Sequence, residues 1–189
     1  MLSKADNELL TRVGPGTPMG NLFRQYWLPA LMSRELPEPD GAPLRVRLLG
    51  EDLVAWRNTD GSIGVMQNAC PHRGASMFFG RNEENGLRCV YHGWKFDTEG
   101  NCVDMPNEPA ESNFKHKIHA STYPTLEVGG IIWVYMGDPD RMPELSGHVN
   151  TLLPKEHTKA WKRHQSSNWM QAPRVFITGV IARGCAFDD

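Results

Sequence analysis

Two short runs of the 189-residue chain concentrate side chains that bind metals: Cys70-Pro71-His72-Arg73-Gly74 and Cys89-Val90-Tyr91-His92-Gly93-Trp94. The pattern is Cys-x-His, then sixteen residues, then Cys-x2-His. Each run offers one thiolate and one imidazole. A [2Fe–2S] centre that carries two Cys on one iron and two His on the other needs this set. Paired loops suit it mechanically, because each loop gives one ligand to each iron and the cluster is clamped between them. A structural zinc ion also accepts two Cys and two His, but zinc loops usually pair Cys with Cys and His with His. The mixed pairing, with one residue between Cys70 and His72, favours the cluster over zinc.

Loops that present ligands need strands to hold them. Leu44, Val46 and Leu48 alternate with Arg45 and Arg47, the period of a strand with one wet face. Gly50-Glu51-Asp52 turns the chain into a strand over Leu53 to Trp56, and Asp60-Gly61 signals a hairpin before Ile63 to Met66. Strands are expected over Leu87 to Tyr91 and Trp94 to Phe96, with Glu99-Gly100-Asn101 as the next turn. Two more, Thr125 to Val128 and Ile131 to Tyr135, flank Gly129-Gly130. Residues 5 to 13 read as a helix with Leu9, Leu10 and Val13 on one side. Lys159 to Gln171 has a strand-like pattern. The fold class is therefore mainly β, a small antiparallel domain behind a short helical N-terminal segment, with a remnant of a second domain. The expected boundaries are 1–37 for the helical or extended segment, 38–140 for the ligand-bearing domain, 141–155 for a linker and 156–172 for the start of a second domain. Residues 173–189 form a tail.

Composition agrees and excludes other classes. Eighteen glycines and fourteen prolines favour short strands and turns over a helical bundle. A net charge of -2 removes the basic surface of a general nucleic-acid binder. Four cysteines in a chain this long do not make a disulfide scaffold. No window reaches the ~20 apolar residues of a membrane span, and the N-terminus lacks a signal-peptide pattern. A cytoplasmic protein is expected. Gly14-Pro15-Gly16-Thr17-Pro18-Met19-Gly20 is not a phosphate loop, since no strand precedes it and its prolines lack amide donors.

The two ligand runs resemble those of Rieske non-heme iron oxygenases, the aromatic-ring hydroxylases. Val13 to Gly20, Tyr26-Trp27-Leu28-Pro29 and Asp104-Met105-Pro106-Asn107-Glu108-Pro109 resemble the phthalate 4,5-dioxygenase branch in particular. The resemblance covers residues 5 to 172. It implies that Cys70 and Cys89 bind one iron of a Rieske [2Fe–2S] cluster and His72 and His92 the other. It implies an electron-transfer role, with an iron–sulfur flavoprotein reductase as donor and a mononuclear Fe(II) that activates O2 as acceptor. Homo-oligomers, commonly trimers, are also implied. A stand-alone Rieske ferredoxin-type carrier is the alternative function, and a zinc-stabilised binding module a third.

The resemblance stops where the family's Asp-x2-His-x4-His segment should follow Asn168-Trp169-Met170-Gln171-Ala172. No Asp in the chain has a His three residues later, and no His follows His164. The expectation is that residues 173–189 reflect a frameshift or rearrangement, so that the chain holds electrons but does not itself hydroxylate. An interface around Trp161 and Trp169 would then be partly exposed.

Other residues carry paired readings. Gly74 and Gly93 either bring amides to cluster sulfides or serve turns. Trp94 reads equally as a shield for the cluster and as ordinary core. Lys115, His116, Lys117 and His119 suit a solvated segment better than a docking face, and Glu83-Glu84 a solvated loop. His148, His157 and His164 have no carboxylate at usable spacing. Cys102 and Cys185 are expected as free thiols.

Overall fold

The computed structural model describes residues 2–109, 111–145, 157, 160–163 and 166–170. The chain forms two compact units. One draws on residues up to Met32, on Arg47–Glu51 and on residues from Val128; the other on Ser33–Val46 and Asp52–Glu127.

In the first unit, α1 (Lys4–Thr11) begins where the Ser3 hydroxyl accepts the Asp6 amide, an N-cap with an acidic side chain in the first turn. It buries none of its residues. Of the expected apolar face, Val13 is buried just beyond the helix, whereas Leu9 stays exposed. Pro18 then opens α2 (Pro18–Phe23), and the Thr17 hydroxyl accepts the Gly20 amide at 3.1 Å. A Cβ on Gly20 would collide with the carbonyl oxygens of Gly14 and Val13. The Gly/Pro run is thus a helix-capping turn.

Strand β1 (Trp27–Met32) follows, inside the segment expected to be helical or extended. Pro29 disguises it, because proline cannot donate to a ladder. The structure absorbs the proline with a register shift between Pro29 and Leu31, as β1 pairs antiparallel with the strand Ile131–Tyr135.

The second unit contains the ligand runs. After β2 (Leu44–Leu48), strands β3 (Glu51–Arg57) and β4 (Ile63–Gln67) form an antiparallel hairpin with Leu53 opposite Gln67 and Arg57 opposite Ile63. Its turn is closed by the Asn58 amide on the Ser62 carbonyl at 2.8 Å, with Gly61 at φ 85°. Gly64 lies under the Trp56 indole, where any Cβ would clash. Four short strands then form a separate antiparallel sheet: β5 (Arg81–Asn82), β6 (Leu87–Arg88), β7 (Lys95–Phe96) and β8 (Cys102–Asp104). Strand β9 (Thr125–Val128) ends this unit; past Gly129-Gly130, β10 (Ile131–Tyr135) belongs to the first unit, and both strands have the boundaries expected from sequence.

The core of the second unit is built from Val54, Trp56, Met66, Met77, Leu87, Trp94, Phe96, Met105 and Ala120, and it includes Cys70 and Cys89. Two of the four expected ligands, Cys70 and Cys89, are therefore rooted in the packed interior.

Two expectations are corrected here. The strands expected over Leu87 to Tyr91 and Trp94 to Phe96 are shorter, Leu87–Arg88 and Lys95–Phe96, because residues 89–93 leave the ladder as a loop. The strand expected over Lys159 to Gln171 is not found among its described residues, where 160–163 and 166–170 are irregular or turn. A strand needs a neighbour to satisfy its amides, and no described strand pairs with this segment. Trp169 is half-buried, its indole N–H donating to the Leu10 carbonyl at 3.0 Å and its ring edge-on to Phe23. Trp161 is exposed. Residues 171–189 and His148, His164 and Cys185 lie outside the described residues.

Candidate iron–sulfur centre

The two ligand loops are closed by the same pair of backbone hydrogen bonds. In the first, the Cys70 amide donates to the Ala75 carbonyl (2.9 Å) and the Gly74 amide to the Cys70 carbonyl (2.8 Å). In the second, the Cys89 amide donates to the Trp94 carbonyl (2.8 Å) and the Gly93 amide to the Cys89 carbonyl (3.0 Å). The offsets from each cysteine are identical. Closing such a loop requires a left-handed residue at its fourth step, and Gly74 (φ 71°) and Gly93 (φ 76°) supply it. The turn reading of these glycines is the one met, since both amides are spent on the cysteine carbonyls.

The loops bring the four side chains expected to bind metal together in pairs. Cys70 and Cys89 are both buried and neither is in a disulfide. Their thiols interact directly. The His72 and His92 rings lie edge to face with centroids 4.5 Å apart. Among the described residues no three His, Cys, Asp or Glu side chains converge as on a single ion. A two-iron cluster asks only two protein ligands of each iron, which is the arrangement of two pairs.

Electrostatics follow from burial. Burial pushes the Cys70 thiol up to about 11, against the amides of His72 and Arg73 that face its sulfur and favour the thiolate; the Cys89 thiol nearby raises it further. A thiol this reluctant to ionise alone does so when a cation bonds its sulfur. Burial, and then the neighbouring His92 and Arg73, hold the His72 imidazole below its ordinary value, which favours the neutral ring that a metal needs. His72 Nδ1 is buried without a hydrogen-bond partner. A buried polar atom left alone costs about 1–3 kcal/mol, and a bond from this nitrogen to iron removes that cost. The orphaned nitrogen and the buried free thiols both fit a cluster with mixed ligands.

The surroundings hold the imidazoles in place. Trp94 lies flat against His72, with centroids 4.2 Å apart and planes 11° from parallel. Its indole N–H donates to Asn107 Oδ1 at 2.7 Å. It is therefore both core and a wall of the site. Tyr91 leans on His92 with centroids 3.8 Å apart, and Tyr91 and Val90 are exposed at the loop tip.

Sequence reading missed Asn68, Arg88 and Asp104, and misread Glu83 as merely solvated. Asn68 Oδ1 accepts the Ser76 hydroxyl at 2.9 Å and the Phe78 amide at 3.1 Å. Arg88 pairs with Glu83 and Asp104. The signal available was only the adjacency of Arg88 to Cys89. Lys115, His116, Lys117 and His119 sit on or beside a 3₁₀ turn and are exposed or half-buried, as a solvated segment would be. His157 is exposed. Cys102 is a buried free thiol raised to about 11 by burial, which keeps it unreactive.

Comparison with known proteins agrees with this geometry. Residues 26–124 match the Rieske [2Fe-2S] domain, and the chain belongs to that family. It is 53% identical over 166 residues to the 3-chlorobenzoate-3,4-dioxygenase oxygenase subunit of Comamonas testosteroni, covering 88% of this chain and 38% of that one. It is 52% identical over 173 residues to the phthalate 4,5-dioxygenase oxygenase subunit of Pseudomonas putida, covering 90% and 39%. The chain thus spans well under half the length of these relatives, and the part it matches includes their Rieske domain. Among solved structures, apo dicamba monooxygenase superposes with a TM-score of 0.58 at 30% identity, over 64% of this chain and 36% of that one. A carbazole 1,9a-dioxygenase oxygenase–ferredoxin complex superposes with a TM-score of 0.57 at 31% identity, over 66% and 31%. The cofactor that the family carries is the Rieske [2Fe–2S] cluster. No described helix is long and apolar enough to cross a membrane.

Proposed function

We propose that this chain is the electron-carrying part of an aromatic-ring-hydroxylating oxygenase component, with Cys70 and Cys89 as ligands of one iron and His72 and His92 of the other. The observation that supports it most is the pair of loops with identical closure presenting two buried thiols and an imidazole pair. When bound, the cluster supplies a one-electron relay with a potential above that of all-cysteine [2Fe–2S] centres, because neutral imidazoles replace two thiolates. The chain's own residues build its container. Cys70 and Cys89 ligate from the interior, and the amides of His72 and Arg73 offset negative charge on the Cys70 sulfur. Trp94 covers one face of His72 and keeps water from it. The exposed Tyr91 and Val90 mark where the loop tip meets solvent.

The proposed donor is an iron–sulfur flavoprotein reductase and the proposed acceptor a mononuclear iron in the same oxygenase system, working in the cytoplasm in a homo-oligomer. Since no Asp-x2-His occurs in the 189 residues, the role proposed for these residues ends at the electron. The proposed boundaries of the cluster domain are 38–140, with 1–37 ahead of it and 141–155, 156–172 and 173–189 as linker, second-domain start and tail.

Anaerobic reconstitution with iron and sulfide followed by reduction tests the reading. A red-brown chain whose electron paramagnetic resonance spectrum has a lower average g than all-cysteine clusters is expected, with the signal altered or lost in His72→Ala and His92→Ala. A normal spectrum retained in both variants would remove the ligand assignment.

A further inference from the structure

Beyond its backbone bonds, each ligand loop is braced by a side chain just ahead of its cysteine, and the two braces differ in kind. At the first loop the brace is neutral: Asn68 Oδ1 accepts from Ser76 and Phe78 on the far side. At the second it is ionic. Arg88 Nε donates to Glu83 Oε1 at 2.6 Å, while its Nη1 donates both to Asp104 Oδ2 and to the Gly93 carbonyl, each at 2.7 Å. The Arg88 side chain is only 14% exposed. Glu83 comes from the β5–β6 turn and Asp104 from β8, so two flanking elements hold the guanidinium while it holds the loop.

We propose that Arg88 is the positioning residue of the loop that carries His92. Its fork spans the loop from the residue before Cys89 to the left-handed residue after His92. Gly93 is then held by both of its polar groups, its amide on the Cys89 carbonyl and its carbonyl on Arg88. A lysine cannot replace this device, because one ammonium on a flexible stem does not reproduce a planar fork with separate nitrogens for Glu83 and Gly93. The role in presenting Cys89 and His92 to iron rests on the cluster reading above; the closure of the loop does not.

The test compares wild type, Arg88→Lys and a control, Arg57→Lys, in the whole 189-residue chain. Arg57 is as enclosed as Arg88 and bonds the Leu36 and Gly61 carbonyls and Glu127, away from both ligand loops. Two readouts are taken: amide hydrogen exchange at Gly93 and Gly74 in the chain as purified, and iron release to a ferrous chelator after reconstitution. Arg88→Lys is expected to speed exchange at Gly93 by roughly tenfold, the scale of a lost charge-assisted hydrogen bond, and iron release by a similar factor. Gly74 in that variant, and both readouts in Arg57→Lys, should stay near wild type. If Arg88→Lys does not fold, Asp104→Asn, which removes the charge of one anchor and keeps Arg88, should show the same selective effect in smaller measure. Wild-type exchange at Gly93 in the folded variant, or equal acceleration at Gly74, would overturn the proposal. A wild-type chain that takes up no iron would instead overturn the cluster reading, and exchange at Gly93 would still decide the role of Arg88.

Discussion

Trp94 shows how one side chain serves packing and site at once. Its ring stacks on His72 while its N–H is satisfied by Asn107. Trp94→Phe keeps an aromatic face but leaves a gap in the core and frees the exposed Asn107 oxygen to water, so a loss of about 1–3 kcal/mol is expected in urea denaturation. Asn107→Ala should lose less, because it removes the acceptor without emptying the ring's place. Equal stability of Trp94→Phe and wild type would contradict the pairing. At this scale the sequence was informative where chemistry favours a residue type, since Cys70 and Cys89, and His72 and His92, are brought together in pairs. It was silent where geometry chooses the partner: nothing in the string joins Trp94 to His72, or Arg88 to Asp104.

Among elements, the two loops differ in the space around their glycines. Gly74 and Gly93 share a left-handed backbone, but a Cβ at Gly74 meets open space while one at Gly93 comes within 2.7 Å of Pro106 Cγ. Gly74→Ala should therefore cost only backbone strain, about 1–2 kcal/mol, and Gly93→Ala clearly more in the same assay. Equal losses would show that Pro106 gives way. The ionic brace adds a pH dependence. The hydrogen bond from Arg88, ahead of its charge, holds the Glu83 and Asp104 carboxyls below their ordinary values of 4.5 and 3.8. Carboxyls lowered by folding contribute stability that is complete above those ordinary values and lost as pH falls through the lower, folded ones. The urea midpoint of wild type should exceed that of the Glu83→Gln/Asp104→Asn double variant at pH 7, and the gap should close as pH falls below those ordinary values. A gap that persists in acid would contradict the assignment. The hairpins were legible because Asp60-Gly61 and Gly129-Gly130 mark their turns and alternation marks their faces. Strand β1 was hidden by Pro29, and the 89–93 loop was absorbed into flanking strands because Val90 and Tyr91 have strand propensities yet lie exposed.

For the whole molecule, long-range pairing is what the sequence showed least. The second unit holds all four proposed ligands, and its core is continuous with Cys70 and Cys89. The first unit brings together stretches from both ends of the chain, as β1 pairing with β10 shows, and pairing at that separation leaves no local pattern to read. The family membership and the two-loop geometry meet on one claim, a cluster held by two sulfurs and two imidazole nitrogens. The most direct measurement is electron–nuclear double resonance on the reduced, reconstituted chain. Two strongly coupled histidine nitrogens are expected, with His72→Ala or His92→Ala losing that pair. A reduced cluster with no coupled nitrogen would mean that iron is held by thiolates alone, and the account of His72 and His92 would be wrong.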